Sequence, residues 1–489
     1  MSAGSLELAA VAAADELGHG TLDGADRYLS LADRAAAAVP DVRRGQARLL
    51  RGIAQLLLTR QRGNLPAMAE KARQLQVMAE AADAAADHLG EDLRALALIS
   101  LGIAGLWAAR FGEAQRYLEQ GVALARRTGR AYLEFTGLAH LALSGVYESF
   151  AQAAGHARQA VKLAERHGWT GDPATGVACV TIGVGLAWQG RLDEAGSWVQ
   201  QAEATIRTET EPAAVLGIHY VRGLLELARG RYAEALAALQ TTEPLGGRLA
   251  APTYLVAPAR ALLLLALVRL GETEHARDAL AELGDQEREG GEIRVAIAAL
   301  RLAENDPEAA TAAVAPIVDG AADFIGLFQS SWRTQAFLQE AIARDALGDG
   351  GAAGTALESA LDLAESRALL TPFLLHPAPD LLQRHAGHRT AHAALIADIQ
   401  SLLAGNTPAS PSAGPPPLRE PLSDSQLRVL RYLPSNLTAP EIARELSISR
   451  NTVKTHLRSL YTKFGTHRRA ETVNRARDLG LLASSAHWQ

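Results

Sequence analysis

In residues 448–465, ISRNTVKTHLRSLYTKFG, the cations Arg450, Lys454, Arg458 and Lys463 stand among hydroxyl and amide side chains, and no Asp or Glu is present. On a helix advancing roughly 100° per residue, Asn451, Lys454, Thr455, Arg458 and Thr462 share one side, while Val453, Leu457, Leu460 and Phe464 share the other. The apolar stripe is a packing face. The opposite side offers positive charge and hydrogen-bonding groups without acid, which suits a polyanion with readable edges. An α-helix fits the DNA major groove, and the missing acids remove repulsion from phosphates.

Other chemistry-bearing residues are weaker candidates. His388 and His392 can share a helix face, with His385 nearby, but QRHAGHRTAHAALI contains no Cys, Asp or Glu and is interrupted by Gly387. A solvated polar face is expected there, with no metal and no cofactor. Cys179 lies among apolar neighbours in VACVTIGVG and reads as core. The acid-rich run 282–292 reads as a solvated loop. No Gly-rich phosphate cradle or nucleophile elbow occurs, so no catalytic residue is assigned, no enzyme is expected, and ATP should be neither hydrolysed nor tightly bound.

The elements that must position the basic helix can be read around it. Ser423 with Gln426, and Thr438 with Glu441, have capping-box spacing and open two short helices, to about Leu433 and Leu446. Ser449 caps the helix that ends at Gly465, and a fourth helix ends at Gly480. Upstream, GNTPASPSAGPPPLREP (405–421) holds six prolines and reads as a semi-stiff linker. Before it, a small or polar turn followed by an amphipathic helix recurs, as in RFGEAQRYLEQGVALA, QGRLDEAGSWVQQAE and RGRYAEALAALQ. Met68, Ala114, Ala153, Ala195, Ala235, Ala276, Ala309 and Ala353 mark the repeat, at intervals of 46, 39, 42, 40, 41, 33 and 44 residues. A period near forty with two helices per period is the signature of a helical solenoid, whose concave face is a binding surface.

Charge divides the chain in the same place. Residues 418–489 hold 12 Arg and Lys against 6 Asp and Glu, whereas residues 1–417 carry a net −12. A basic end on an acidic body directs the end, and not the body, to a polyanion. One cysteine, no apolar run of membrane-spanning length and no secretory signal point to a soluble cytoplasmic protein without a membrane partner.

Residues 422–482, through EIARELSIS, TVKTHL, KFG, RRAE and LGLL, resemble the LuxR-type DNA-binding domain of bacterial transcription regulators. The resemblance implies that Lys454, Thr455 and Arg458, with Asn451, read bases of double-stranded DNA. It implies that Thr438, Arg450, Thr452, His456, Lys463 and Arg469 touch phosphates or brace those contacts, and that the fourth helix, around Val473 and Arg477, is a dimer surface on DNA. Gln426 and Arg428 stand where the family usually has acids, Asn436 where it usually has glycine, and Pro440 where a polar or basic residue is common. None removes the basic face, but scaffold contacts are expected to differ. The repeats are similar to those of the large MalT-like LuxR regulators, which place an ATPase domain before them. Here none of the four lysines lies in a GxxxxGK[ST] motif.

The expected architecture is all-α: a tetratricopeptide-like solenoid over 1–404, a linker over 405–421, and a four-helix LuxR-type helix-turn-helix domain over 422–482. The expected function is transcription regulation, with a homodimer on DNA and a regulatory ligand or protein on the solenoid. The rival readings are a repeat-based adaptor with non-specific DNA binding, and a fragment of a larger ATP-dependent regulator.

Overall fold

The computed structural model describes residues 9, 12–13, 16, 22–36, 41–83, 89–206, 212–249, 253–324, 328–387, 390–405, 422–433, 442–444, 446, 448–464, 466, 472–473 and 475–476. Among these there are helices and turns and no β-strand. The chain divides into two compact units, Met1–Pro408 and Ala409–Gln489.

The first unit is built from helical hairpins, running from Asp41–Gln61 with Leu65–Asp83 to Gln329–Ala346 with Gly350–Arg367. The hairpin turn has a fixed design. A residue of positive φ stands two places before the second helix: Gly63, Ala109, Gly190, Gly230, Gly271, Asn305 and Gly348. This left-handed residue ends the first helix and reverses the chain. The hairpin of Ala131–Ser144 and Phe150–His167 differs, turning through a 3-10 segment, Gly145–Tyr147, with Ser149 as N-cap.

The repeat markers prove to be the fourth residue of each second helix. There the amide closes the first helical turn, as in Ala114 N–H to Arg110 O at 2.9 Å and Ala195 N–H to Arg191 O at 3.0 Å. Ala114, Ala195, Ala235 and Ala276 are wholly buried, and Met68, Ala153 and Ala353 nearly so. One marker is out of register. Ala309 is half-buried, and Ala310 occupies the buried fourth position. The Glu-Ala pair 308–309 mimics those at 113–114, 194–195 and 234–235, but Pro307 starts this helix under the Asp306 cap and shifts the register by one. In the hairpins of Ala114 and Ala235 the paired helix places glycine against the second helix: an added Cβ on Gly102 would stand 2.5 Å from Leu118 Cγ, and one on Gly223 2.4 Å from Leu239 Cγ. Small residues on both helices set the close approach.

The first helices form an inner layer. Pro173–Trp188 is buried on every side from Ala174 to Trp188, while its partner Leu192–Thr205 buries only Ala195, Val199 and Ala202. Full burial requires a second wall, and distant residues of the same unit supply it. Leu370 N–H donates to Trp188 O at 2.9 Å, satisfying a carbonyl left open at a helix end, and Thr371 Oγ1 donates to Ala187 O beside it. Arg269 reaches Leu375 O from another repeat. Phe328 lies with its ring 5.8 Å from that of Trp188 and 5.9 Å from that of Tyr220. Part of the inner side of the array is thus covered by the unit's own chain. No described helix is long and apolar enough to cross a membrane.

Candidate nucleic-acid interface

In the second unit the helices Asp424–Tyr432 and Arg450–Phe464 share a core containing Val429, Leu430, Ile442, Val453, Leu460 and Phe464. Leu457 and Leu446 are half-buried at its edge. Ser423 and Gln426 form the anticipated capping box: Gln426 N–H donates to Ser423 Oγ at 3.3 Å and Ser423 N–H to Gln426 Oε1 at 3.0 Å. At the start of the basic helix, Thr452 N–H donates to Ser449 Oγ at 3.1 Å, and the two hydroxyls lie 2.8 Å apart. Arg450 and Asn451 of the first turn are exposed, and that turn holds no acid.

Arg450, Asn451, Lys454, Thr455, Arg458 and Thr462 are all exposed, and Val453, Leu460 and Phe464 are buried. The helix therefore has the two faces that its residue order dictates. Thr455 and Thr462 donate to the carbonyls of Asn451 and Arg458, each at 3.0 Å, which orients their hydroxyls along the helix. Thr452 and His456 are half-buried at the border of the exposed face. An exposed row of three cations with interleaved amide and hydroxyl groups can contact phosphates and base edges together.

Two of the expected site residues are held within the domain itself. Lys463 is half-buried, and its Nζ donates to Gln426 Oε1 at 3.2 Å, so it braces the scaffold. Val473 is only 6% exposed and belongs to the same buried cluster as Val453 and Phe464. Thr438, Arg469, Arg477, the second capping box, Asn436 and Pro440 lie outside the described residues, as does most of the linker. Sequence reasoning missed the role of Ser459, whose hydroxyl is 2.8 Å from Gln426 Nε2. The signal available was the unusual Gln426 itself.

The histidine run also differs from expectation. His392 is buried, not solvated, and lies 2.9 Å from Asp362 and 2.7 Å from Glu365, while His385 is 2.6 Å from Glu358. These acids come from the helix Gly350–Arg367, remote in sequence. His388 lies outside the described residues, and no group of metal-holding geometry occurs among those described. Cys179 is buried, and burial pushes its thiol up to about 12, which keeps it protonated and inert. The acid-rich run is partly ordered: it includes the short helix Asp285–Glu289, and Glu292 is wholly buried.

Two classes of structure thus meet in one chain: a tetratricopeptide-like solenoid, and a small helical domain presenting a basic helix. The chain belongs to the family of the MalT-like TPR region, which matches residues 62–383, and residues 420–476 match the luxR family of bacterial regulatory proteins. The second match is echoed by the HTH-type transcriptional activator RamA of Corynebacterium glutamicum, 44% identical over 61 residues, 12% of this chain and 22% of that protein. The Fimbriae Z protein of Salmonella typhimurium is 36% identical over 62 residues, 13% of this chain and 30% of that protein. The chain thus spans less than a third of the length of either relative. The solenoid is similar in fold to a Rap protein solved in complex with Competence and Sporulation Factor, with a TM-score of 0.51, 12% identity, and coverage of 75% of this chain and 99% of that one.

Proposed function

We propose that the protein is a DNA-binding transcription regulator that reads the major groove through the helix Arg450–Phe464. The observation that carries this reading is the exposed, acid-free row Arg450, Asn451, Lys454, Thr455 and Arg458 on a helix whose other side is core. In this reading Lys454, Thr455 and Arg458, with Asn451, meet base edges. Arg450, Thr452 and His456 meet phosphates, joined by Thr438 and Arg469. The protein binds as a homodimer through the segment around Val473 and Arg477, and acts in the cytoplasm. The solenoid receives a small molecule or a protein as the signal.

Selection of bound DNA from a random pool tests it. Enrichment of a repeated half-site is expected, and Lys454→Ala or Arg458→Ala should cost about 1–3 kcal/mol at that site and relax the sequence choice. A pool that stays random after selection would favour the adaptor reading, in which the basic face holds DNA through phosphates alone.

A further inference from the structure

Two cavities of the first unit meet at one side chain. The larger, of about 690 Å³, opens to solvent between Ser149, Gln189, Gln329, Ser330 and Arg367. The smaller, of about 20 Å³, lies among the inner helices and is lined by Trp107, Val180, Ala214, Tyr220 and Tyr254. Phe328 lines both. It is 5% exposed and stands immediately before the helix Gln329–Ala346, so its ring is the partition between the two spaces.

The inner space has features that packing alone does not explain. Tyr220 and Trp107 line it, and their polar atoms, Tyr220 Oη and Trp107 Nε1, are buried without any hydrogen-bond partner. A buried donor left unmade is costly, and an indole N–H can only donate. Burial, followed by the Glu292 carboxylate, holds the Tyr220 phenol well above its ordinary pKa, so it remains a hydroxyl that can donate. The walls are otherwise apolar, with Val177, Val184 and Leu255 among them, and a charge placed there would lose its hydration. The rings come in near-parallel pairs: Trp107 with Tyr254 at 5.9 Å and 11°, and Tyr220 with Phe328 at 5.9 Å and 17°. A Phe328 ring turned away therefore leaves a flat space on the face of Tyr220, which matches a planar guest.

We propose that the two cavities are one ligand site gated by Phe328. It takes an uncharged, flat aromatic molecule whose hydrogen-bond acceptor meets Tyr220 and Trp107, and whose polar end stays in the outer cavity. A turn of the Phe328 ring into the outer cavity, which has room for it, opens the passage. The outer volume is that of an ordinary small-molecule pocket. This deepens the proposed sensing role of the solenoid and rests on that reading for its consequence, though not for binding itself.

The uncharged naphthyl ketone prodan, whose emission reports polarity and hydrogen bonding at its carbonyl, is the probe. Titrated into the full chain without DNA, it should bind saturably at one to one. Phe328→Ala should bind it about fivefold more tightly, because the open state no longer has to be selected, and Phe328→Trp about fivefold more weakly. Tyr220→Phe should lose about threefold in affinity and shift the bound emission to shorter wavelength, as one hydrogen bond to the ketone is lost. Its melting temperature should not fall. Absence of saturable binding to Phe328→Ala, or equal affinities across the variants, overturns the site and leaves the inner space to a single buried water. A repeat titration with DNA present separates the two readings. Intact prodan binding with unchanged DNA affinity would sink the sensing role and leave the site standing.

Discussion

Gln426 Nε2 donates to Ser459 Oγ at 2.8 Å, joining the first turn of helix Asp424–Tyr432 to the middle of helix Arg450–Phe464. The same side chain accepts from Ser423 N–H at 3.0 Å and from Lys463 Nζ at 3.2 Å. One amide thus caps a helix and orients the helix that bears the basic face. A carboxylate here would keep the two accepted bonds but could not donate to Ser459.

Replacing Gln426 by leucine removes half of the capping box and both interhelical bonds. A loss of about 1–2 kcal/mol is expected for the second unit, measured by urea denaturation of residues 409–489. Gln426→Glu should stay within about 0.5 kcal/mol, since the Ser459 hydroxyl can turn to donate.

Arg450 and Lys463 should respond differently to removal. Arg450 is exposed and faces solvent at the start of the helix, so Arg450→Ala should weaken all DNA sequences alike and lower the salt slope by about 1. Lys463 is tied to Gln426, so Lys463→Ala should lower domain stability more than it alters the salt slope. Equal changes in slope for the two variants would contradict the bracing role.

Acid should destabilise the solenoid through its buried histidines. His140 is fully buried with Nδ1 2.8 Å from Thr136 O; burial, then the positive charge of Arg60, lowers its pKa to about 3. Burial and then Arg269 hold His376 well below the ordinary value as well. Below about pH 6.5 the unfolded chain binds protons that the folded chain refuses. The folded state is therefore most stable above that pH and weakens as pH falls, by about 2 kcal/mol for His140 alone at pH 5. Denaturation midpoints across pH 5 to 8 check this, and His140→Asn should flatten the slope.

The repeat backbone makes opposite forecasts at two positions. A Cβ on Gly102 would meet Leu118 Cγ at 2.5 Å and Ala114 O at 3.1 Å, so Gly102→Ala should cost about 1–3 kcal/mol through overpacking. Ala368 is exposed with φ of 54°, a conformation that L-residues adopt only under strain. Ala368→Gly should therefore stabilise by about 1 kcal/mol, seen as a higher melting temperature.

The two-faced basic helix was legible in the sequence because it is local. The face of Lys454 and the face of Val453 follow from helical periodicity, and Ser423 with Gln426 and Ser449 fix where the helices begin within a single turn. The repeat was legible for the same reason, since each hairpin writes its own turn and its own small residue. The register at Ala310 was not, because the Glu-Ala pair at 308–309 imitates the pattern, and only the Asp306 cap with Pro307 places the helix start. What required the tertiary structure was every contact between elements far apart in the chain. His392 looked solvated because its acid partners, Asp362 and Glu365, lie on another helix. The burial of Val473 could not be read locally because it depends on the core shared by helices Asp424–Tyr432 and Arg450–Phe464. The carbonyl of Trp188 meets Leu370, and the ring of Phe328 meets Tyr220, only when the repeats curl until the inner helices face one another. Local backbone preference sets a hairpin, but the small rotation between successive hairpins, summed over the array, decides what their inner side encloses.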